Sequence, residues 1–199
     1  MEKLDLKKAY PEYYTAGQKP KVVNLEPYYY IMSQGQSAPE APDFEHAIGH
    51  LYALAYKLKF SSKAGDMDFV VPKLEGFWWV EGDKPFEQTS RTEWHWKLMM
   101  RMPDFIGKSD FDEAIAALVA DEKLPADHKL VFEELHEGLC LQVMHLGSYE
   151  EEGPSIEKIL RFAAQEGFEI TGKHHEIYLS DPTKTEVSKL KTIIRYSIQ

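Results

Sequence analysis

Glu26-Pro27-Tyr28-Tyr29-Tyr30-Ile31-Met32-Ser33-Gln34-Gly35 and Glu137-Gly138-Leu139-Cys140-Leu141-Gln142-Val143-Met144-His145-Leu146-Gly147 share one pattern. Each starts at a turn, runs through apolar and aromatic residues, and stops at a glycine, so both read as strands. Pairing Gly35 with Gly147 gives an offset of 147 − 35 = 112 residues. The same offset sets Phe44 on Ile156 and Ile48 on Leu160, apolar positions of two amphipathic helices. The expected fold is therefore α+β, with duplicated βαββ-type units forming two pseudo-symmetric antiparallel-sheet-plus-helix halves. These would be residues 21–105 and 106–199, behind an N-terminal arm at 1–20. Two such halves would leave a central ligand groove.

Working outward, strands are expected at 21–33, 69–71, 76–80, 94–102, 129–134, 139–146, 176–179 and 192–198. Asp43 and Ser109 are placed as caps of helices, and Gly167 as the stop of a third. Short links between mixed strands and helices fit the α+β class.

Composition narrows the function. Hydrophobic residues make up 43% and charged residues 28%, ordinary for a globular chain. A formal net charge of −10 argues against a nucleic-acid partner, whose phosphates need a basic surface. Cys140 is the single cysteine, so an internal disulfide and a Cys-based metal site are excluded. No run approaches 18 apolar residues, and Met1-Glu2-Lys3-Leu4-Asp5 carries no apolar signal segment. The expectation is a cytoplasmic protein with no membrane partner.

Strand parity sorts the side chains. Leu139, Leu141 and Val143 form the set that meets a helix, leaving Cys140, Gln142 and Met144 toward the groove. The offset carries this to Tyr28, Tyr30 and Met32. In His174-His175-Glu176-Ile177-Tyr178-Leu179-Ser180-Asp181-Pro182, Ile177 and Leu179 are assigned to the core and Glu176 and Tyr178 to the groove. Phe77 and Trp79 follow as the first-half counterparts. Trp94 and Trp96 share a face, and parity leaves open which one. Tyr52 and Tyr56 flank the first helix.

Each of these has a plain alternative. Tryptophans often cover a sheet face as core. Glu176 could be solvated, or it could be a buried acceptor, base or counter-ion. Glu150-Glu151-Glu152 reads as a solvated loop or a cation-attracting rim. His145 follows the apolar parity and reads as a packed structural histidine. His174 and His175 are adjacent on a strand and point to opposite faces, so they cannot both ligate one ion; no metal and no cofactor are expected. A mid-strand Cys140 is a weak nucleophile.

Four segments together resemble the gyrase-inhibitor-like (GyrI-like) small-molecule-binding proteins in their stand-alone bacterial form. They are Pro72-Lys73-Leu74-Glu75-Gly76-Phe77-Trp78-Trp79, Trp94-His95-Trp96-Lys97-Leu98-Met99-Met100, 137–149 and 174–182, supported by Lys191-Thr192-Ile193-Ile194-Arg195-Tyr196. Ser148 and Ser197 stand where the family pattern has proline. No helix-turn-helix segment is present, so the resemblance implies a free-standing effector module. It also implies a groove for lipophilic, often cationic aromatic compounds, with Glu176 at the position of the family's acidic residue. Some similar proteins hydrolyse cyclopropanoid toxins by opening the cyclopropane ring.

Three functions follow as expectations. The first is a detoxifying hydrolase in which Glu176 is a general base. Tyr178, with Tyr52 and Tyr56 behind it, would polarise the substrate carbonyl. Phe77, Trp79, Trp94, Trp96, Tyr28, Tyr30, Met32, Gln142 and Met144 would line the ligand. The second is a multidrug binder that sequesters aromatic cations without chemistry. The third is a protein-interaction module.

Overall fold

In chain order the elements are α1 (Leu6–Ala9), α2 (Pro11–Tyr14), β1 (Lys21–Leu25), β2 (Tyr28–Gln36), α3 (Pro42–Ala64), β3 (Glu75–Trp79) and β4 (His95–Arg101). They continue with α4 (Lys108–Ala120), β5 (Val131–Leu135), β6 (Gly138–Leu146), α5 (Gly153–Glu166), β7 (His174–Tyr178) and β8 (Lys191–Ser197). The class is α+β. The computed structural model describes residues 3–82 and 86–199, so the first two residues of the expected arm lie outside it. No helix among the described residues is long and apolar enough to cross a membrane.

Local chemistry adjusts the expected boundaries. The strand expected at 21–33 is two strands, because Pro27 lacks the N–H that a continuous ladder needs. The segment at 69–71 is not a strand; among the described residues it forms an isolated bridge from Phe69 to Leu4, and Pro72 ends it. Helix α3 starts at Pro42, with Asp43 inside the first turn rather than at the cap. Helix α4 is preceded by Gly107, whose N–H donates to Asp110 Oδ2 at 2.8 Å, and Ser109 lies within its first turn. Gly167, at φ 80°, stops α5 as expected.

Two compact units form. Unit 1 holds residues up to Ala9, Tyr28–Pro72 and Trp78–Leu135; unit 2 holds Tyr10–Pro27, Lys73–Phe77 and His136–Gln199. The expected dividing line near residue 105 describes sequence repeats, and the compact units cross it. Strand β1, from the first half of the chain, pairs with β6; β5, from the second half, pairs with β2.

In unit 1 the antiparallel order is β4-β2-β5, and α3 packs on β2 and β4. The cross-strand pairs Ile31–Met100, Ser33–Leu98 and Gly35–Trp96 share a face. A Cβ on Gly35 would meet the Trp96 ring at 2.4 Å, so a glycine is what lets the indole lie across the strand. Leu51, Leu54, Ala55 and Leu58 of α3 are buried.

In unit 2 the order is β1-β6-β8-β7, all antiparallel. Leu141, Val143 and Ile194 pack with Ile159 and Ala163 of α5 in one core cluster. The apolar set expected to meet the helix therefore does so at Leu141 and Val143, whereas Leu139, near the strand end, is exposed.

Register also corrects the offset. Gln36 pairs with His95 and Leu146 with Lys191, and one residue on, Ser37 N–H bonds Trp94 O and Gly147 N–H bonds Leu190 O. Ser37 thus corresponds to Gly147, an offset of 147 − 37 = 110 residues. An error of two residues preserves strand parity but separates Gly35 from Gly147.

Candidate functional site: a carboxylate–imidazole cluster

Strand β7 projects His174, Glu176 and Tyr178 to one side. Glu176 pairs with Ile194, and Ile194 pairs with Val143. Glu176 and Tyr178 therefore share a face, as expected, but it is the α5 face. Gln142 and Met144 have the opposite parity, so they do not join Glu176. Ile177, assigned to the helix-facing core, lies instead on the opposite face of β7, in line with Ile193 and Met144.

The other wall comes from the loop after β6. His145 is buried, with Nε2 on Ser148 O at 2.8 Å and Nδ1 on Ser155 Oγ at 3.1 Å. It is a structural histidine that ties the loop to the start of α5. Gly147, at φ 124°, supplies the turn, in a region that disfavours other residues. The loop delivers Tyr149 and Glu152. Glu152, expected in a solvated acidic run, is only 5% exposed. It stands at the cap position of α5, directly before Gly153-Pro154. That capping position is a sequence signal, hidden by the two glutamates before it.

His174 Nε2 lies 2.9 Å from Glu176 Oε1 and 3.3 Å from Glu152 Oε2, and Nδ1 lies 2.6 Å from the Tyr196 hydroxyl. Burial opposes a charged imidazole, but hydrogen bonds to Glu152 and Glu176, and their charge, hold His174 well above the usual histidine range. Its two N–H groups then donate to Tyr196 and Glu176. Glu152 is pushed up to about 7 by burial and by the charge of Glu176, against the pull of His174. Its Oε1 has no hydrogen-bond partner among the described residues. Tyr149 is pushed up to about 12 by burial and then by Glu176 and Glu152, so it keeps its proton as a donor. The Tyr149 and Tyr178 rings meet edge to face at 5.6 Å.

The cluster is thus two carboxyl groups bridged by one cationic imidazole, with one carboxyl poised to exchange a proton near neutrality. Glu152, His174 and Glu176 also present one ligand atom each within 4.8 Å of one another, the grouping through which this unit could hold a divalent ion.

A pH dependence follows. Glu152 keeps its proton in the folded protein up to about 7, whereas the unfolded carboxyl releases it near 4.5. Folding stability from this group is full below the unfolded value and is lost as pH rises toward 7. Glu152→Gln should flatten the fall in stability between pH 5 and 8, read by urea unfolding at both values. An unchanged pH slope would show that Glu152 does not titrate in the cluster.

The remaining expected site residues divide between the units. In unit 2, Phe77 packs against His175, at 4.4 Å between centroids, and Gln142 is fully buried. Gln142 accepts from Arg195 and donates to Glu12 O and Thr15 O at 2.9 and 3.0 Å. The backbone N–H of Met144 donates to Gly17 O. Gln142 is therefore committed to anchoring the N-terminal segment and has no hydrogen-bonding capacity left for a ligand. Cys140, pushed up to about 12 by burial, is no nucleophile.

In unit 1, Trp96 is buried against Phe44, with Nε1 on Ser37 Oγ, and Trp94 packs with Trp78 and Phe86. Trp96 is thus core beneath α3. Tyr30 is buried and Tyr28 lies under the Arg101 guanidinium. Tyr52 and Tyr56 are 37% and 47% exposed on the outside of α3. Trp79 and Met32 line an open cavity, in which Trp79 stacks on His95.

His175, on the other face of β7 from Glu176, belongs to a second, fully buried set. Its ring nitrogens bond Glu137 at 2.8 Å and Glu75 at 3.1 Å; Glu75 also accepts from the Tyr13 hydroxyl. Arg195 donates to Glu137, Gln142 and Tyr13 O. Burial alone would raise Glu137, but His175 and Arg195 hold it down at about 2.

Residues 18–198 match a family described as a GyrI-like small molecule binding domain. An uncharacterized conserved protein from Listeria innocua is 36% identical, with a TM-score of 0.90, over 99% of this chain and 100% of that one. A hydrolase encoded by lin2189 of Listeria innocua is 32% identical over the whole of both chains, with a TM-score of 0.90. The C-terminal domain of EcmrR shares the fold at a TM-score of 0.54 and 13% identity, over 91% of this chain and 97% of that one. No curated protein sequence matches the chain. The chain belongs to the GyrI-like family of small-molecule-binding domains.

Proposed function

We propose that the protein detoxifies reactive aromatic small molecules by adding water to a strained ring of the cyclopropanoid type, using the cluster of unit 2. The observation that carries this reading is Glu176 and Glu152, both buried, bridged by His174 and flanked by Tyr149 and Tyr178. The similar Listeria innocua protein described as a hydrolase gives it support.

The chemistry needs a base, a hydrogen-bond donor and an apolar wall. Glu176 takes a proton from water as its oxygen forms a bond to the ring carbon. The cyclopropane C–C bond breaks, and its electron pair passes through the conjugated system to the carbonyl oxygen. A tyrosine hydroxyl, Tyr149 or Tyr178, hydrogen-bonds that oxygen and keeps its own proton; the proton that Glu176 took from water passes through solvent to the product, which leaves Glu176 ionised again. His174 holds the Glu176 carboxylate in place and offsets its charge.

Incubation with a cyclopropane-fused aromatic alkylator should yield a ring-opened product heavier by one water, read by mass spectrometry. Product formation no faster than in buffer would remove the hydrolytic reading. The second reading, a binder of lipophilic aromatic cations, would then stand on the same two carboxylates and the rings beside them.

A further inference from the structure

We propose that the open cavity of unit 1 binds planar aromatic compounds carrying an anionic group, a carboxylate or sulfonate. This site is built from residues of unit 1 alone and does not depend on the hydrolytic reading.

The cavity measures about 520 Å³, within the range of small-molecule sites of about 300–1,000 Å³. Its aromatic surface is Trp79 stacked on His95, with centroids 5.4 Å apart and planes 21° from parallel. Met32 adds an apolar floor. Strand parity puts Lys97 on the same face as His95, opposite Gln34 across the ladder. Lys129 reaches the cavity from just before β5.

Charge decides the class of ligand. Among the described residues neither Lys97 nor Lys129 has an ion-pair partner; His95, in contrast, faces Glu81 at 3.9 Å. Among the described residues Glu133 is the one carboxylate on the lining, against two lysines, so these lining residues are net positive. The rest of the chain is strongly acidic, with a formal net charge of −10. A flat ring laid along Trp79 would bring an attached anion to two ammonium groups that lack partners. A neutral ring would leave them unused.

Calorimetric titration of the full chain with naphthalene-2-sulfonate and with 2-naphthylmethanol separates charge from ring. The sulfonate should bind about fivefold or more tightly than the alcohol, the scale of two partly solvated charge contacts. Its preference should shrink in high salt, a measurement on the wild-type protein that needs no variant. Lys97→Gln with Lys129→Gln should equalise the two ligands, and Trp79→Leu should weaken both. Equal wild-type affinities, no binding of either compound, a preference indifferent to salt, or a preference that survives the double substitution would each overturn the proposal.

Discussion

Glu176→Gln should lower turnover of a cyclopropanoid substrate by about 10²–10⁴-fold, the loss expected when a general base is removed. The amide keeps the size of the side chain and can still contact His174, so the fold and a neutral ligand's affinity should change little. A loss confined to kcat with KM held marks an interaction used in the transition state. Tyr149→Phe should act in the same direction but less, because Tyr178 remains beside it. If Glu176→Gln turns over substrate like the wild type, the base lies elsewhere. A proportional rise in KM with kcat intact would assign Glu176 to binding alone.

Arg195→Met should be the most destabilising single change in unit 2, at about 3–5 kcal/mol, the cost of leaving a buried carboxylate without its partner. Arg195 is fully buried and spreads its donors over Glu137, Gln142 and the Tyr13 carbonyl. Arg195→Lys should not restore stability, because one ammonium cannot reproduce that fork. Urea unfolding measures both, and a loss below about 1 kcal/mol would show the network to be dispensable. Acid should expose the same dependence. Glu137 is held at about 2, below the usual carboxylate value of 4.5, so its contribution is present above 4.5 and is lost as pH falls toward 2.

The fold was legible where side-chain period and burial agree. Leu141 and Val143 beside Ile159 and Ala163 obey one rule each, period 2 for the strand and 3.6 for the helix, and the structure packs them together. The site was less legible. Parity paired Glu176 with Tyr178 correctly, since neighbours two apart on a strand always share a face. It could not say which face, because both faces of β7 are buried: His175 and Ile177 on one face are fully inaccessible, and Glu176 on the other is buried as well. A strand buried on both sides shows no apolar alternation to read. The roles of His175 and Arg195 are hidden for that reason: both residues are visible in the sequence, but their shared pairing with Glu137 is a tertiary fact. Glu152 is hard to single out because the two glutamates before it hide its one signal, a place directly before Gly153-Pro154 at the start of a helix. Trp96 was offered as a ligand wall and is core, a distinction set by Gly35 across the ladder, where the missing Cβ admits the indole.

The crossing of β1 and β5 between the two halves of the sequence bears on how the chain is made. A nascent polypeptide presents β1 long before its partner β6 has been synthesised, so that strand's backbone groups must wait in water or find a temporary neighbour. The β4-β2-β5 ladder of unit 1 is likewise incomplete until β5 emerges, some 95 residues after β2 ends. Neither unit can close while the first half of the chain is alone outside the ribosome. Completion of both sheets is thereby deferred to a late stage of synthesis, because their pairings are long-range. A fragment cut near the middle would carry one orphaned strand and lack another. Two such fragments should regain structure only on mixing, each returning to the other the strand that completes its sheet.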